Sequence, residues 1–233
     1  MKLIDSLSKE YTQSYISNAS ELFDIPYISN VLPKTLADIL PDNYRAVDIG
    51  SCDGSYSNII TSHIPTVNGN FENVDLYPIK PDVIEGDAVE FIKNTTNKYD
   101  LIICKHAVHL FSPLELFFDL CYDKTYSTGK MFVVTLTNET IIPWPVSINK
   151  LFMETFVNVD SSIGKWNVIV HKGILQKKCS LATLCNIIKN RSLSFLYKLS
   201  DVELNQCICE LETSSSNYMV DIELYYDIYE LSH

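Results

Sequence analysis

The sequence predicts an α/β fold with a mostly parallel sheet, and three observations carry that prediction. Apolar runs of strand length alternate with helical spacing from Tyr44 to Leu136. The first run, Tyr44-Arg-Ala-Val-Asp-Ile49, enters a turn with two glycines, Gly50 and Gly54, and then a segment at Tyr56–His63 where a helix is expected. The next two runs end in carboxylates, Asp75 and Asp87. Open α/β sheets bind ligands at the carboxyl ends of their strands. Glycines in the first turn let backbone N–H groups approach a nucleotide-like ligand.

The 233 residues, 46% of them hydrophobic, suffice for one domain with a substantial core. We divide it into an N-terminal helical lid (1–43), a core (44–137), and a cap with the closing strands (138–233). The net charge is −11 and the only arginines are Arg45 and Arg191. A nucleic-acid binder neutralises phosphates with clustered Lys and Arg, so such a substrate is disfavoured. Lys172, Lys177 and Lys178 form one small basic group, read as a solvated edge. Seven cysteines without regular spacing argue for reduced thiols and a cytoplasmic protein, and no metal site is expected. The residues Met1–Ser8 carry no signal-peptide run, and no stretch reaches the length of a membrane span.

Taken in order, Ser6–Phe23 has a helical face with Tyr11 and Tyr15, residues that either pack or line a lid. Val31–Leu40 is spaced as a short helix, with Pro33 in its first turn and Pro41 as its stop. The second strand, Phe71–Pro78, places Asp75 where a carboxylate accepts bonds from two ribose hydroxyls or simply shapes the turn before Pro78. The connection Ile79–Asp82 is too short for a crossover helix, and Val83–Ala88 reads as a third strand. Lys93–Lys98 reads as loop. Tyr99–Cys104 is a fully buried strand, followed by Lys105, His106 and His109 and by a helix at Pro113–Cys121. Gly129 is the turn before the fifth strand, Lys130–Leu136. Beyond it come a loop with Trp144 between two prolines, helices at Val146–Val157, Ser180–Lys189 and Ser200–Glu212, and strands at Trp166–Leu175 and Asn217–Tyr229.

The ordered series Val47-Asp-Ile-Gly-Ser-Cys-Asp-Gly54, Val74-Asp-Leu76, Glu85-Gly-Asp-Ala88 and Tyr99-Asp-Leu-Ile-Ile-Cys-Lys-His-Ala-Val-His-Leu-Phe111 resembles class I S-adenosylmethionine-dependent methyltransferases. The small-molecule type 11 group, trans-aconitate methyltransferase-like, is the most similar. The segments Ser180–Leu184, Asn190–Ser194 and Leu199–Leu204 resemble that group's substrate region more loosely. The resemblance implies a Rossmann-like seven-stranded sheet, mostly parallel with its last strand antiparallel, helices on both faces and a helical substrate cap. It implies S-adenosyl-L-methionine as cofactor, with Asp48, Gly50, Ser51, Cys52 and Gly54 at the methionine end. Asp75 and Leu76 would meet the ribose, Asp87 and Ala88 the adenine, and Lys105 would border the sulfonium. Two departures stand out. Cys52 occupies the place of the family's middle glycine, and the connection after Asp75 is abbreviated, as in some RNA methyltransferases.

The expected reaction is in-line methyl transfer to an oxygen, nitrogen or carboxyl group of a small molecule, in which alignment carries much of the catalysis. His106 and His109 are the candidates for a base or an orienting group, or else are structural. Tyr11, Tyr15, Trp144 and Arg191 are candidates for the acceptor pocket. The expected partner is a small-molecule substrate, without membrane or nucleic acid, for a monomer or homodimer. A non-catalytic S-adenosylmethionine-binding regulatory or partner protein is the principal alternative, and an RNA methyltransferase is another. A nicotinamide-dependent oxidoreductase would want a glycine at position 52.

Overall fold

The computed structural model describes residues 7–64, 69–214 and 218–233. The expected starts of the first helix at Ser6 and of the closing strand at Asn217 lie outside them. The chain forms two compact units: a helical unit of Met1–Asp24, Leu136–Phe156 and Gly173–Tyr226, and a parallel-sheet unit of Ile25–Thr135, Val157–Lys172 and Asp227–His233.

The parallel-sheet unit holds β1 (Arg45–Ile49), β2 (Asn70–Asp75), β3 (Ile84–Glu85), β4 (Tyr99–Lys105) and all but the last residue of β5 (Thr125–Leu136). All four pairings, β1 with β2 and β4, β2 with β3, and β4 with β5, are parallel. The strands β1 and β4 are central because their runs Ala46–Ile49 and Leu101–Cys104 are buried throughout, as strands covered on both faces must be. Alternation then divides their side chains. Val47, Ile49, Val74, Ile102 and Cys104 enter the main apolar core, with Phe117, Phe118 and Trp166. The other face carries Asp48, Asn73, Asp75 and Lys105, which fixes where the polar chemistry gathers.

Among the described residues this unit has four α-helices: a short helix at Leu32–Ile39, another at Ser55–Thr61 after the glycine turn, then Ala88–Asn94 and Leu114–Lys124. In chain order after α1 (Lys9–Ser14, in the helical unit) these are α2, α3, α4 and α5. The α2 helix has its proline in the first turn, where the missing N–H costs nothing. The third strand is shorter than expected. Only Ile84 and Glu85 pair, and Asp87 leaves the sheet to cap α4, accepting from the N–H groups of Val89 and Glu90 at 2.9 and 3.0 Å. Gly129 is likewise no turn but part of β5. A Cβ there would stand 2.7 Å from the Tyr99 carbonyl oxygen, and the register of β4 on β5 shifts between Tyr99 and Leu101. The glycine admits that irregularity.

The helical unit contains α1, which continues as one wide turn over Tyr15–Ala19, then α6 (Val146–Met153), α7 (Leu181–Lys189) and α8 (Asp201–Ser214). Ser180 caps α7, its Oγ accepting from Thr183 N–H at 3.0 Å. At α8, Ser200 N–H donates to Glu203 Oε2 at 2.7 Å and Glu203 N–H to Ser200 Oγ at 3.3 Å, a reciprocal capping box. Ser14 Oγ donates to the Asn190 carbonyl at 2.7 Å and fixes α1 against the end of α7.

Two long strands, β6 (Asn167–Ser180) and β7 (Met219–Ser232), complete a seven-stranded sheet of order β3-β2-β1-β4-β5-β7-β6. The sheet is mixed, with its last strands antiparallel. The strand β6 runs five residues past its expected end at Leu175. No helix among the described residues is long and apolar enough to cross a membrane. All seven cysteines are free thiols, and Cys209 on α8 is the exposed one.

Candidate cofactor site

The turn after β1 is built on alternating left-handed residues: Gly50, Cys52 and Gly54 have φ of 75°, 55° and 69°. Gly50 tolerates no side chain, since a Cβ would meet that of Ala107 at 2.3 Å. Cys52 adopts the left-handed conformation despite its Cβ, at a cost of roughly 1–2 kcal/mol. Hydrogen bonds hold it there. Cys52 N–H donates to Asp75 Oδ2 at 2.9 Å, while Gly50 and Ser51 N–H donate to the Val74 carbonyl at 2.8 and 3.1 Å.

Asp75 therefore braces the turn from the end of β2. Its Oδ1 accepts from Tyr77 N–H at 2.9 Å, and its carbonyl accepts from Gly86 N–H at 3.0 Å. Burial raises its carboxyl above its ordinary value, against the pull of the Tyr77 and Cys52 N–H groups. A second tie runs from Asp53 to Lys80, 3.1 Å apart, in the short connection after β2. The abbreviated connection is thus anchored to the glycine turn at two points.

Beneath the turn lies Asp48, only 1% exposed, whose Oδ1 has no hydrogen-bond partner. Burial pushes its carboxyl up to about 7; Lys105 opposes the rise, and Asp75 and Asp53 add to it. Lys105, at the end of β4, sets its ammonium 4.6 Å from the centre of the Tyr56 ring, a cation–π contact. Tyr56 is held in turn by its hydroxyl, which donates to the Ile28 carbonyl at 2.9 Å. Burial, followed by Asp75, raises the Cys52 thiol far above its ordinary value, so it stays protonated and a poor nucleophile.

His106 follows Lys105 with φ of 55°, its N–H donating to the Val134 carbonyl at 2.8 Å. Burial, with Lys105 and His109, pushes its imidazole down to about 3; burial pushes His109, on the single turn Val108–Leu110, down to about 4. Both rings are neutral at pH 7, able to accept or donate one hydrogen bond but weak as bases.

The structure thus links Asp48, Gly50, Ser51, Cys52, Gly54 and Asp75 through one turn, with Lys105 and His106 at the end of the adjoining strand β4. Asp87 and the buried Ala88 start α4, and the Asp87 carboxylate is engaged by that helix. Leu76 is half-buried beside Asp75. The other candidates, Tyr11, Tyr15, Trp144 and Arg191, all belong to the helical unit. There Tyr11 packs on Tyr15 and Tyr197 at centroid distances of 6.5 and 5.9 Å. Arg191 spends its donors on the carbonyls of Leu196 and Leu199 and on Asp201, at 2.8, 2.6 and 2.8 Å. Trp144 is buried with its Nε1 unpartnered. Sequence reasoning missed Asn73 and Tyr56. Period two along β2 would have put Asn73 on the face of Asp75.

The order β3-β2-β1-β4-β5-β7-β6, with glycine turn and carboxylate at the ends of β1 and β2, is the Rossmann-like methyltransferase fold. Solved structures share it. A protein provisionally named a methyltransferase of an antibiotic biosynthesis pathway, from Anabaena variabilis, aligns with a TM-score of 0.59 at 17% identity, over 85% of this chain and 96% of its own. The YcgJ protein of Bacillus subtilis gives 0.57 at 13% identity, over 90% and 99%. A protein provisionally named a methyltransferase from Bacillus halodurans gives 0.56 at 12%, over 87% and 98%. At these identities the likeness is one of fold. No family model matches the chain, and no curated protein sequence matches it.

Proposed function

We propose that this chain is an S-adenosylmethionine-dependent methyltransferase acting on a small molecule. The observation that carries the reading is the braced turn: three left-handed residues whose middle N–H is held by the carboxylate at the end of β2. The residues fit the cofactor. A carboxylate has about four lone-pair sites, and Asp75 has given two of them to Cys52 and Tyr77, leaving two for a pair of ribose hydroxyls. Space is open at Gly86 beside the end of β2, where an added Cβ would meet nothing within 4 Å. Asp48, Gly50, Ser51, Cys52 and Gly54 would hold the methionine end, Leu76, Asp87 and Ala88 the nucleoside, and Lys105 the border of the reacting centre.

When bound, S-adenosylmethionine supplies a methyl group on a sulfonium, which needs alignment and exclusion of water more than proton transfer. His106 suits that demand as a neutral hydrogen-bonding group that orients the acceptor. His109, further along, supports the turn. Tyr11, Tyr15, Trp144 and Arg191 remain our candidates for the acceptor pocket. The free thiols fit a reducing, cytoplasmic setting.

A second reading, a non-catalytic S-adenosylmethionine-binding partner protein, is favoured by the strained Cys52 and the abbreviated connection after Asp75. Titration calorimetry decides in stages. Binding of S-adenosylmethionine and S-adenosylhomocysteine, without binding of NAD, is the expected result. Absence of both would defeat the proposal. Transfer of a labelled methyl group to the small-molecule fraction of an extract, reduced in Asp75→Ala, separates the enzyme from a silent binder.

A further inference from the structure

The sheet face that carries Asp48 holds a second polar side chain, Asn73, for which the cofactor reading has no use. Asp48 and Asn73 are direct partners in the parallel pairing of β1 with β2, so their side chains stand beside each other on one face. Each has an oxygen, Oδ1, closed to solvent and without a hydrogen-bond partner. The Asn73 carboxamide also lies against the glycine turn: a Cβ on Gly54 would meet its Nδ2 at 3.0 Å and its Cγ at 3.1 Å. Two sealed acceptors side by side, with no donor, leave both desolvated and uncompensated. A donor from bulk water has no access to either atom. The carboxyl group itself can supply one.

We propose that Asn73 positions Asp48 by accepting the proton of its carboxyl group, closing one O–H···O bond beneath Gly54. The surroundings agree with a retained proton. Asp75 at the end of β2 and Asp53 in the turn disfavour a charge on Asp48, and only Lys105 of β4 favours it. The other ionisable groups coupled to it, Tyr56 on α3, Cys52 in the turn and Cys104 on β4, are neutral and raised by burial. Loss of the proton would set a carboxylate against the carbonyl oxygen of Asn73, and the amide would have to turn to present its Nδ2. The orientation of Asn73 thus reports the charge of Asp48, and the turn resting on it feels the difference.

The test uses the full chain without cofactor, so it stands or falls separately from methyl transfer. The carbon-13 resonance of the Asp48 carboxyl is followed against pH. In Asn73→Ala the protonated form loses its acceptor, and the midpoint falls by about one pH unit. Asn73→Ser keeps an oxygen nearby and recovers part of that fall. A midpoint unmoved in Asn73→Ala overturns the proposal. A raised midpoint also overturns it, because Asn73 then donates to an ionised Asp48. Should Asn73→Ala not fold, Asp48→Asn tests the retained proton that the proposal requires. The native state holds a proton that the unfolded chain has released, so this group makes wild-type stability fall as pH rises from about 4 to about 7. The amide of Asp48→Asn is a permanent donor, and that contribution to the slope disappears. A slope equal to the wild type's overturns the proposal.

Discussion

Gly50 and Cys52 sit two residues apart in the same backbone region, yet they ask different things of their side chains. At Gly50 the obstacle is both conformational and steric, with φ of 75° and the Ala107 Cβ only 2.3 Å from any added methyl. Gly50→Ala is therefore expected to destabilise the fold by about 2–4 kcal/mol, read from the midpoint of urea unfolding. A loss below about 1 kcal/mol would mean that the turn can move away from Ala107. At Cys52 only the conformation is costly, and the bond from its N–H to Asp75 repays part of that cost. The sequence shows Cys52 as the misfit of the turn, but not that it keeps the glycine's conformation. That outcome depends on Asp75, 23 residues away, and local propensity carries no such information. The same holds for Arg191. As a lone cation it looks like a clamp for a carboxylate, whereas three hydrogen bonds to its own neighbourhood engage it.

Elements with chemical punctuation are legible. The ends of α2, α7 and α8 are marked by Pro33, Ser180 and the pair Ser200 and Glu203, and the structure uses each as a cap or first-turn residue. Ser200→Ala is expected to cost about 1 kcal/mol, visible as lower thermal stability and faster amide exchange in the first turn of α8. Exchange unchanged in that turn would show that Glu203 alone suffices. Elements defined by their neighbours are less legible. β3 is two residues long with both side chains exposed, so it has no apolar pattern of its own. It exists because Val74 and Asp75 offer it a ladder. Its brevity frees Asp87 to start α4, a helix that sequence pattern alone absorbs into strand and loop. Gly129 misleads for a related reason. A glycine signals a turn when its neighbours are unknown, and a close backbone approach once Tyr99 is seen against it.

At the scale of the molecule, the alternation of strands and helices specifies the sheet and its polar face, while the acceptor pocket stays beyond reach. The cofactor candidates lie on consecutive strand ends, which sequence order preserves. The acceptor candidates are scattered through the helical unit, and nothing local in the sequence ties Tyr11 to Tyr197. The distribution of thiols has a practical consequence. Cys104, Cys121, Cys179 and Cys207 are buried and Cys52 and Cys185 are partly covered, whereas Cys209 is exposed on α8. A thiol-reactive dye should therefore mark the native chain at one position first, with a single rapid equivalent in an Ellman titration and the rest released only on unfolding. Several rapid equivalents would contradict this. A fluorophore at Cys209 would give the helical unit its own optical signal. The folding and ligand response of that unit could then be followed without engineering the chain.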